Sequence, residues 1–416
     1  MCSKKYVIGY NYIPYLRIFA FEMKGKIQMK RNMLIRGITV ILFILLMSTL
    51  LVYANHDRPR YEITETSGIE FETARVLAVV SDTTEADEEY EGVLRGSKEL
   101  KLEILTGRYK GMISFVTNYY SALYNVDVKE GDTVSIRIDT TGEMQFRVSV
   151  YNYDRVPLII GLVIFFFSVL TLVGGKQGIK AFAGLVYTVI CICFLLLPLI
   201  LKGFSPIPLT CAIVVVTSVV CFILIGGVQK KIVAAALGCT CGVLAAALIA
   251  QVAASIGGVT TFQMDEAEAL LLVKAESELN ISGLFISGIL IASVGAVMDI
   301  AMSIASALDE VHILNPERTC KELFVSGMNI GRDAMGTMAN TLVLAYVGSS
   351  LNMMVLIYSY GVSFIQLVNT DFVAIEMIQA IAGSAGIILT VPCVSIISAI
   401  LLTDKYRVFL KGIILK

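Results

Sequence analysis

The chain has no tryptophan and only two histidines, His56 and His312, among its 416 residues. So little histidine removes most zinc coordination and most Ser-His-Asp chemistry. Charge is scarce as well. Asp, Glu, Lys and Arg make up 16% of the chain, where a soluble domain carries about 25%. The net charge of -1 provides none of the concentrated basic surface that nucleic acid needs. H-E-x-x-H, G-x-S-x-G and the P-loop G-x-x-x-x-G-K-[ST] are all missing. Neither catalysis nor a cofactor is expected. Cysteine is present, but Cys191, Cys193, Cys211, Cys221, Cys239, Cys241 and Cys393 all fall in apolar runs. The Cys-x-Cys pairs do not share a helix face, which favours packing over metal binding. Region 55–155 has no cysteine, so no disulfide staples it.

Apolar residues dominate instead. They form 56% of the chain, at a mean hydropathy of +0.77, the composition of an integral membrane protein. Eight apolar segments stand out, at 37–54, 157–174, 179–200, 208–228, 232–256, 281–308, 334–357 and 373–402. Most reach the roughly 20 residues that cross a bilayer core. Lys and Arg cluster in 1–36, 175–180, 229–231, 309–333 and 403–416, while the alternate short loops hold only Lys202 and Lys274. By the positive-inside rule, eight spans put every Lys/Arg-rich segment and both termini in the cytoplasm.

The expected organisation is a cytoplasmic segment 1–36, a signal-anchor helix 37–54, an extracytoplasmic β-rich domain 55–155, a seven-helix membrane domain 156–402 and a cytoplasmic tail 403–416. Val52-Tyr53-Ala54 resembles a small-residue cleavage site, so the first segment reads either as a retained anchor or as a removed signal peptide. Region 55–155 reads as strands, with period-two alternation in "FETARVLAVV", "KELKLEILTG", "KGMISFVTNYY", "DTVSIRID" and "EMQFRVSVYNY" and glycines between them. About 80 residues suit one small β-barrel, OB-like or SH3-like. Tyr119, Tyr120 and Tyr124 could form a binding face or pack internally. "LVGGKQGIKAFAGL" (172–185) and "LIGGVQKKIVAAAL" (224–237) align at a 52-residue offset, which suggests duplicated helical hairpins or convergent tight turns. An acidic stretch, "TTFQMDEAEALLLVKAESELN", reads as an amphipathic helix at the outer membrane edge.

The sixth and seventh segments are unusually polar. Asp299, Ser303, Ser306 and Glu310 are spaced four, three and four apart, within about 60° of arc on a helix. Gly288, Ala292 and Ala296 make a small-xxx-small ridge beside them. Asn329, Arg332, Asp333, Gly336 and Asn340 share a second stripe about 100° wide. Asn315-Pro316 reads as a helix start, with 316–328 as a short amphipathic helix on the inner surface. A charged Asp at mid-bilayer costs about 2.5–3.5 kcal/mol and should face protein or water.

"GAVMDIAMSIASALDE" followed by "NPERTCKELFVSGMNIGRDAMGTMANTLVLAYVGSSL" resembles the YibE/F-like family of bacterial membrane proteins, over about 155–405. The resemblance implies a multi-pass fold in the bacterial plasma membrane and carries no established activity. Two functions fit the residues. In one, the protein is a transporter or channel for a small solute or ion. Asp299, Ser303, Ser306 and Asn340 then line the path, and Glu310, Asn329, Arg332 and Asp333 form the inner mouth. In the other it is a non-transporting anchor or sensor whose outer domain binds an envelope protein. Expected partners are the lipid bilayer, the solute or ion, that envelope protein and a second copy of the chain.

Overall fold

The computed structural model describes residues 41–56, 68–140, 146–264, 267–275 and 278–403. Segment 1–36 and the tail beyond Thr403 lie outside them. A helix, α1 (Ile41–Asn55), comes first, then six strands, then a helical array.

The strands are β1 (Ile69–Asp82), β2 (Glu85–Ala86), β3 (Leu94–Ile104), β4 (Ile113–Tyr120), β5 (Thr133–Asp139) and β6 (Arg147–Tyr153). All five alternating runs of the sequence form strands. In β5, Val134, Ile136 and Ile138 are buried and the residues between them are not, as period-two geometry requires. Pairing is antiparallel throughout, in the order β4-β3-β1-β5-β6, with β2 on the start of β3. Register shifts at Val76/Ala78 and Val79/Ser81 in β1 add twist and curl the sheet over Leu100, Leu102, Ile104, Ile136 and Ile138. No ladder joins β4 to β6 among the described residues, because each pairs only with its inner neighbour. The closed barrel expected from the sequence is therefore a half-barrel. Lys98 is buried in it but has charge partners in Asp127 and, at 3.5 Å, Asp82. Ile136→Ala should destabilise this sheet by about 2–5 kcal/mol, read as an earlier loss of β signal in thermal circular dichroism.

The next helix, α2 (Val156–Cys191), reverses at Gly175 (φ 54°, ψ -133°). A continuous helix would hold positions 167 and 182 about 22 Å apart, yet the Phe167 and Phe182 ring centroids are 4.6 Å apart. A Cβ on Gly178 would run into the Leu170 carbonyl. The two arms, 156–174 and 176–191, thus make the helical hairpin expected there. The second arm continues through a π turn (Ile192–Leu196) into α3 (Leu197–Leu201). After α4 (Pro206–Gly226) the chain turns at Gly227 (φ 71°, ψ -164°) into α5 (Lys230–Gly257). Gly175 and Gly227 are the aligned glycines of the 52-residue offset, so the sequence likeness extends to positive-φ backbone at the same point of each turn.

Then follow α6 (Ala267–Ala275), α7 (Leu284–Leu314), α8 (Cys320–Ser349), α9 (Leu351–Ser359), α10 (Phe364–Val368) and α11 (Asp371–Leu402). By length and composition, five helices could cross a membrane, counting Val156–Leu201 as one; α8 with α9, bent by 60°, would make a sixth. The separate surface helix expected over 316–328 is not formed. Asn315 caps the end of α7, and α8 starts at Thr319 instead. There the Thr319 and Glu322 side chains close a capping box, which satisfies two backbone donors at once. The span expected over 334–357 is broken at Ser350.

At the core, α11 packs on α5, α8 and α7, and α7 packs also on α4 and α5. The α5–α11 contact is close because of small residues. Gly238, Gly242, Ala246, Ala250 and Ala254 are all buried at four-residue spacing. Cβ atoms on Gly238, Gly242 and Gly386 would clash with Val394, Thr390 and Ala246 respectively. The ridge at Gly288 behaves differently: no atom lies within 4 Å of a Cβ built there.

Helix α1 packs through Met47 and Ala54 against Leu195, Leu196 and Leu199. The Asn55 side-chain amide donates to the Phe194 carbonyl at 2.8 Å. Lys202 Nζ donates to the carbonyls of Tyr53 (2.6 Å) and His56 (2.7 Å) and lies 4.8 Å over the Tyr53 ring. A cation at a helix C-terminus complements its dipole. Ala54 is 0% exposed.

Candidate functional site

Asp299 is the midpoint residue of α7. The face of α7 that meets the bundle carries Val297, Ile300, Ala301, Ile304, Ala305 and Leu308, all fully buried. At 100° per residue, the line through Asp299, Ser303, Ser306 and Glu310 lies opposite that face. Asp299, Ser303 and Glu310 are exposed, and Ser306 is half-buried. The stripe inferred from spacing therefore exists, and it points away from the core.

The same is true of α8. Its inner face is Leu323, Gly327 and Gly331, with Met335, Met338 and Leu342 packed on the core cluster. Asn329, Arg332, Asp333, Gly336 and Asn340 are all exposed on the other side. None of Asp299, Glu310, Arg332 or Asp333 has an ion-pair partner among the described residues. The stagger of the two helices is the second finding. A Cβ on Gly331 would touch Ile304, and one on Gly327 would approach Leu308, which fixes the stagger of the two antiparallel helices. Arg332 and Asp333 consequently lie level with the turn of α7 that holds Ser303, one turn from Asp299. The sequence places them at an inner mouth, and they stand about 18 Å along α8 from its first residue, Cys320. Glu310 stays within about one turn of the end of α7, where the neighbouring Asp309 pairs with Lys231 at 3.0 Å.

A further polar pair escaped the sequence reading. The Ser384 hydroxyl of α11 donates to the Ala339 carbonyl of α8 at 3.4 Å, and Gly383 abuts Leu342. Two turns further along this contact stand Tyr346 of α8 and Glu376 of α11. Glu376 Oε2 and Tyr346 Oη are both buried, and neither has a hydrogen-bond partner among the described residues. The spacing of Ala339, Leu342 and Tyr346 shows that they share a face, but nothing in it shows that α11 covers that face. Among the described residues no three potential metal ligands come together.

Residues 162–404, which include both stripes and the Glu376–Tyr346 pair, match the YibE/F-like protein family. The chain belongs to that family. No curated protein and no solved structure matches it. The YibE/F-like region begins inside the first arm of α2 and ends just beyond α11, so the half-barrel and α1 precede it. Its helices with long apolar windows suit this member of the YibE/F-like family to a membrane.

Proposed function

We propose that the protein moves a small solute or ion across the bacterial plasma membrane, along the polar stripes of α7 and α8. The observation that carries this reading is Asp299, a carboxylate halfway along a 31-residue apolar helix at nearly the depth of Arg332 and Asp333. Neutral glue between helices needs no carboxylate. A charge at that depth costs about 2.5–3.5 kcal/mol, which favours an aqueous or protein-lined setting. Ser303, Ser306 and Asn340 supply neutral hydrogen-bonding groups along the same stripes, while Glu310 and Asn329 lie towards the cytoplasmic end.

Proteoliposomes loaded with pH-sensitive and cation-sensitive dyes test the proposal. Wild-type protein should pass protons or a monovalent or divalent cation. Asp299→Asn, which keeps size and hydrogen bonding, should fold normally and reduce that flux at least tenfold. Full flux in Asp299→Asn, or none in the wild type, would sink the reading. The orientation has its own test. A cysteine placed at Asp132 in a cysteine-free background should be labelled from outside, and one at Lys230 should be spared.

The second reading, a sensor whose outer domain binds an envelope protein, draws on the edge strand β4. Of the three tyrosines singled out, Tyr120 is buried, while Tyr119 and Tyr124 are 70% and 72% exposed, beside Phe115 at 70%. Such a row suits a protein partner. Flux that survives Phe115→Ser/Tyr119→Ser would separate partner binding from transport.

A further inference from the structure

We infer that the outward face of α7 and α8 is an interface with a second copy of this chain, so that the polar path lies between subunits. The inference rests on the membrane placement proposed above and names the partner of that same site.

Three observations point to the same face. First, Asp299 lies in the middle of an apolar helix, and Arg332 and Asp333 lie within about one turn of its level on α8, which reaches the length and apolarity of a span together with α9. All three are exposed and without ion partners among the described residues. A surface left to lipid does not hold three uncompensated charges. Second, the glycines of this face are unoccupied. A Cβ on Gly288, Gly295 or Gly336 would have no atom within 4 Å, whereas Gly327, Gly331 and Gly383, on the inner faces of the same bundle, are in tight contact. Small residues in membrane helices mark where another helix approaches, and here no helix of the same copy does so among the described residues. Third, the charges complement one another. The α7 stripe carries only acids, Asp299 and Glu310, and the α8 stripe carries the cation Arg332 beside the acid Asp333.

Symmetry turns this complementarity into a geometric match. Copies inserted in the same orientation are related by an axis along the membrane normal, so each residue keeps its depth in both. Arg332 of one copy then lies within about one helical turn, or 5.4 Å, of the depth of Asp299 of the second copy. An arginine side chain spans that distance. In a two-fold contact the pairing occurs twice, α7 of each copy against α8 of the other. Ser303, Ser306 and Asn340 are then enclosed beside the paired charges, and a cavity forms that one copy alone does not possess.

The experiment uses purified full-length protein in nanodiscs, with a photo-crosslinking amino acid at Gly336 and, as a control, at Leu248. Leu248 is an exposed residue of α5 on an apolar face. Gly336 should yield a covalent dimer, Leu248 should yield none, and light scattering should give at least twice the monomer mass. Arg332→Glu should lower the dimer yield at least fivefold, and Asp299→Arg/Arg332→Glu should recover most of it. A monomeric mass overturns the inference. So does a Gly336 adduct mapped by mass spectrometry to residues 1–40 or 404–416 of its own chain. If the Gly336 dimer forms but the proteoliposomes pass nothing, the interface stands and the transport reading fails. Flux through a protein that stays monomeric sinks the interface and leaves the transport reading standing.

Discussion

Gly242→Leu is expected to abolish cooperative unfolding of the purified protein, because α5 and α11 can no longer keep their contact. The site has no slack. A Cβ there would overlap Thr390 Oγ1 and come within 3.0 Å of the Gly386 carbonyl oxygen, and a backbone atom cannot rotate aside. A few methylenes forced into a packed core cost about 1–3 kcal/mol. Four carbons against a fixed backbone should exceed that, out of a total stability of about 5–15 kcal/mol. Gly288→Leu is the internal control. It makes the same change on another apolar helix, but into open space. It should melt within a degree or two of wild type, and any effect should be confined to association between copies. Equal losses in the two variants, measured by thermal unfolding in detergent, would contradict the packing described for α5 and α11.

The second large effect is expected at Glu376, and it should split stability from function. A buried polar group without a partner costs about 1–3 kcal/mol, and here a carboxylate oxygen and a phenol both lack one among the described residues. Glu376→Leu/Tyr346→Phe removes both orphans while keeping apolar bulk, and should raise the melting temperature by several degrees. Flux, or complementation of a deletion strain, should fall at least tenfold. Such a trade of stability for activity is the mark of a strained functional site. A double variant that is less stable would mean the pair has a structural partner, such as a bound water. One that is more stable and fully active would show that the pair takes no part in function.

The parts of this architecture that the sequence displays are those set by local periodicity. Alternation in "DTVSIRID" gives β5 and its buried face, and long apolar runs give α4, α5 and α11 almost to the residue. The stripes were legible too, because spacing alone decides which side chains share a face. Spacing does not say what that face meets. Asp299 and Ile300 are neighbours in sequence and look in directions about 100° apart, and only the packing of α11 and α5 decides which direction is inside. The start of α8 was misplaced for another reason. Asn315-Pro316 and the box Thr319-Cys320-Lys321-Glu322 are both good helix beginnings. The box wins because Thr319 and Glu322 satisfy each other's backbone, whereas Asn315 is occupied in ending α7. The Cys239/Cys241 pair reads as packing rather than metal binding, and the spacing that matters in α5 is that of the glycines and alanines on either side.

The grip of Lys202 on α1 has a consequence for the chain's maturation. Its two acceptors, the carbonyls of Tyr53 and His56, straddle the bond after Ala54 at which a signal peptidase would cut. Ala54 itself is wholly enclosed, and the amide of Asn55 is tied to Phe194. A peptidase needs that stretch extended and accessible, so the docked helix is not a substrate. Cleavage and docking are competing fates of the same bond, decided during insertion by whichever happens first. Lys202→Ala should tilt that competition, so that a larger share of the protein emerges shortened by its first segment.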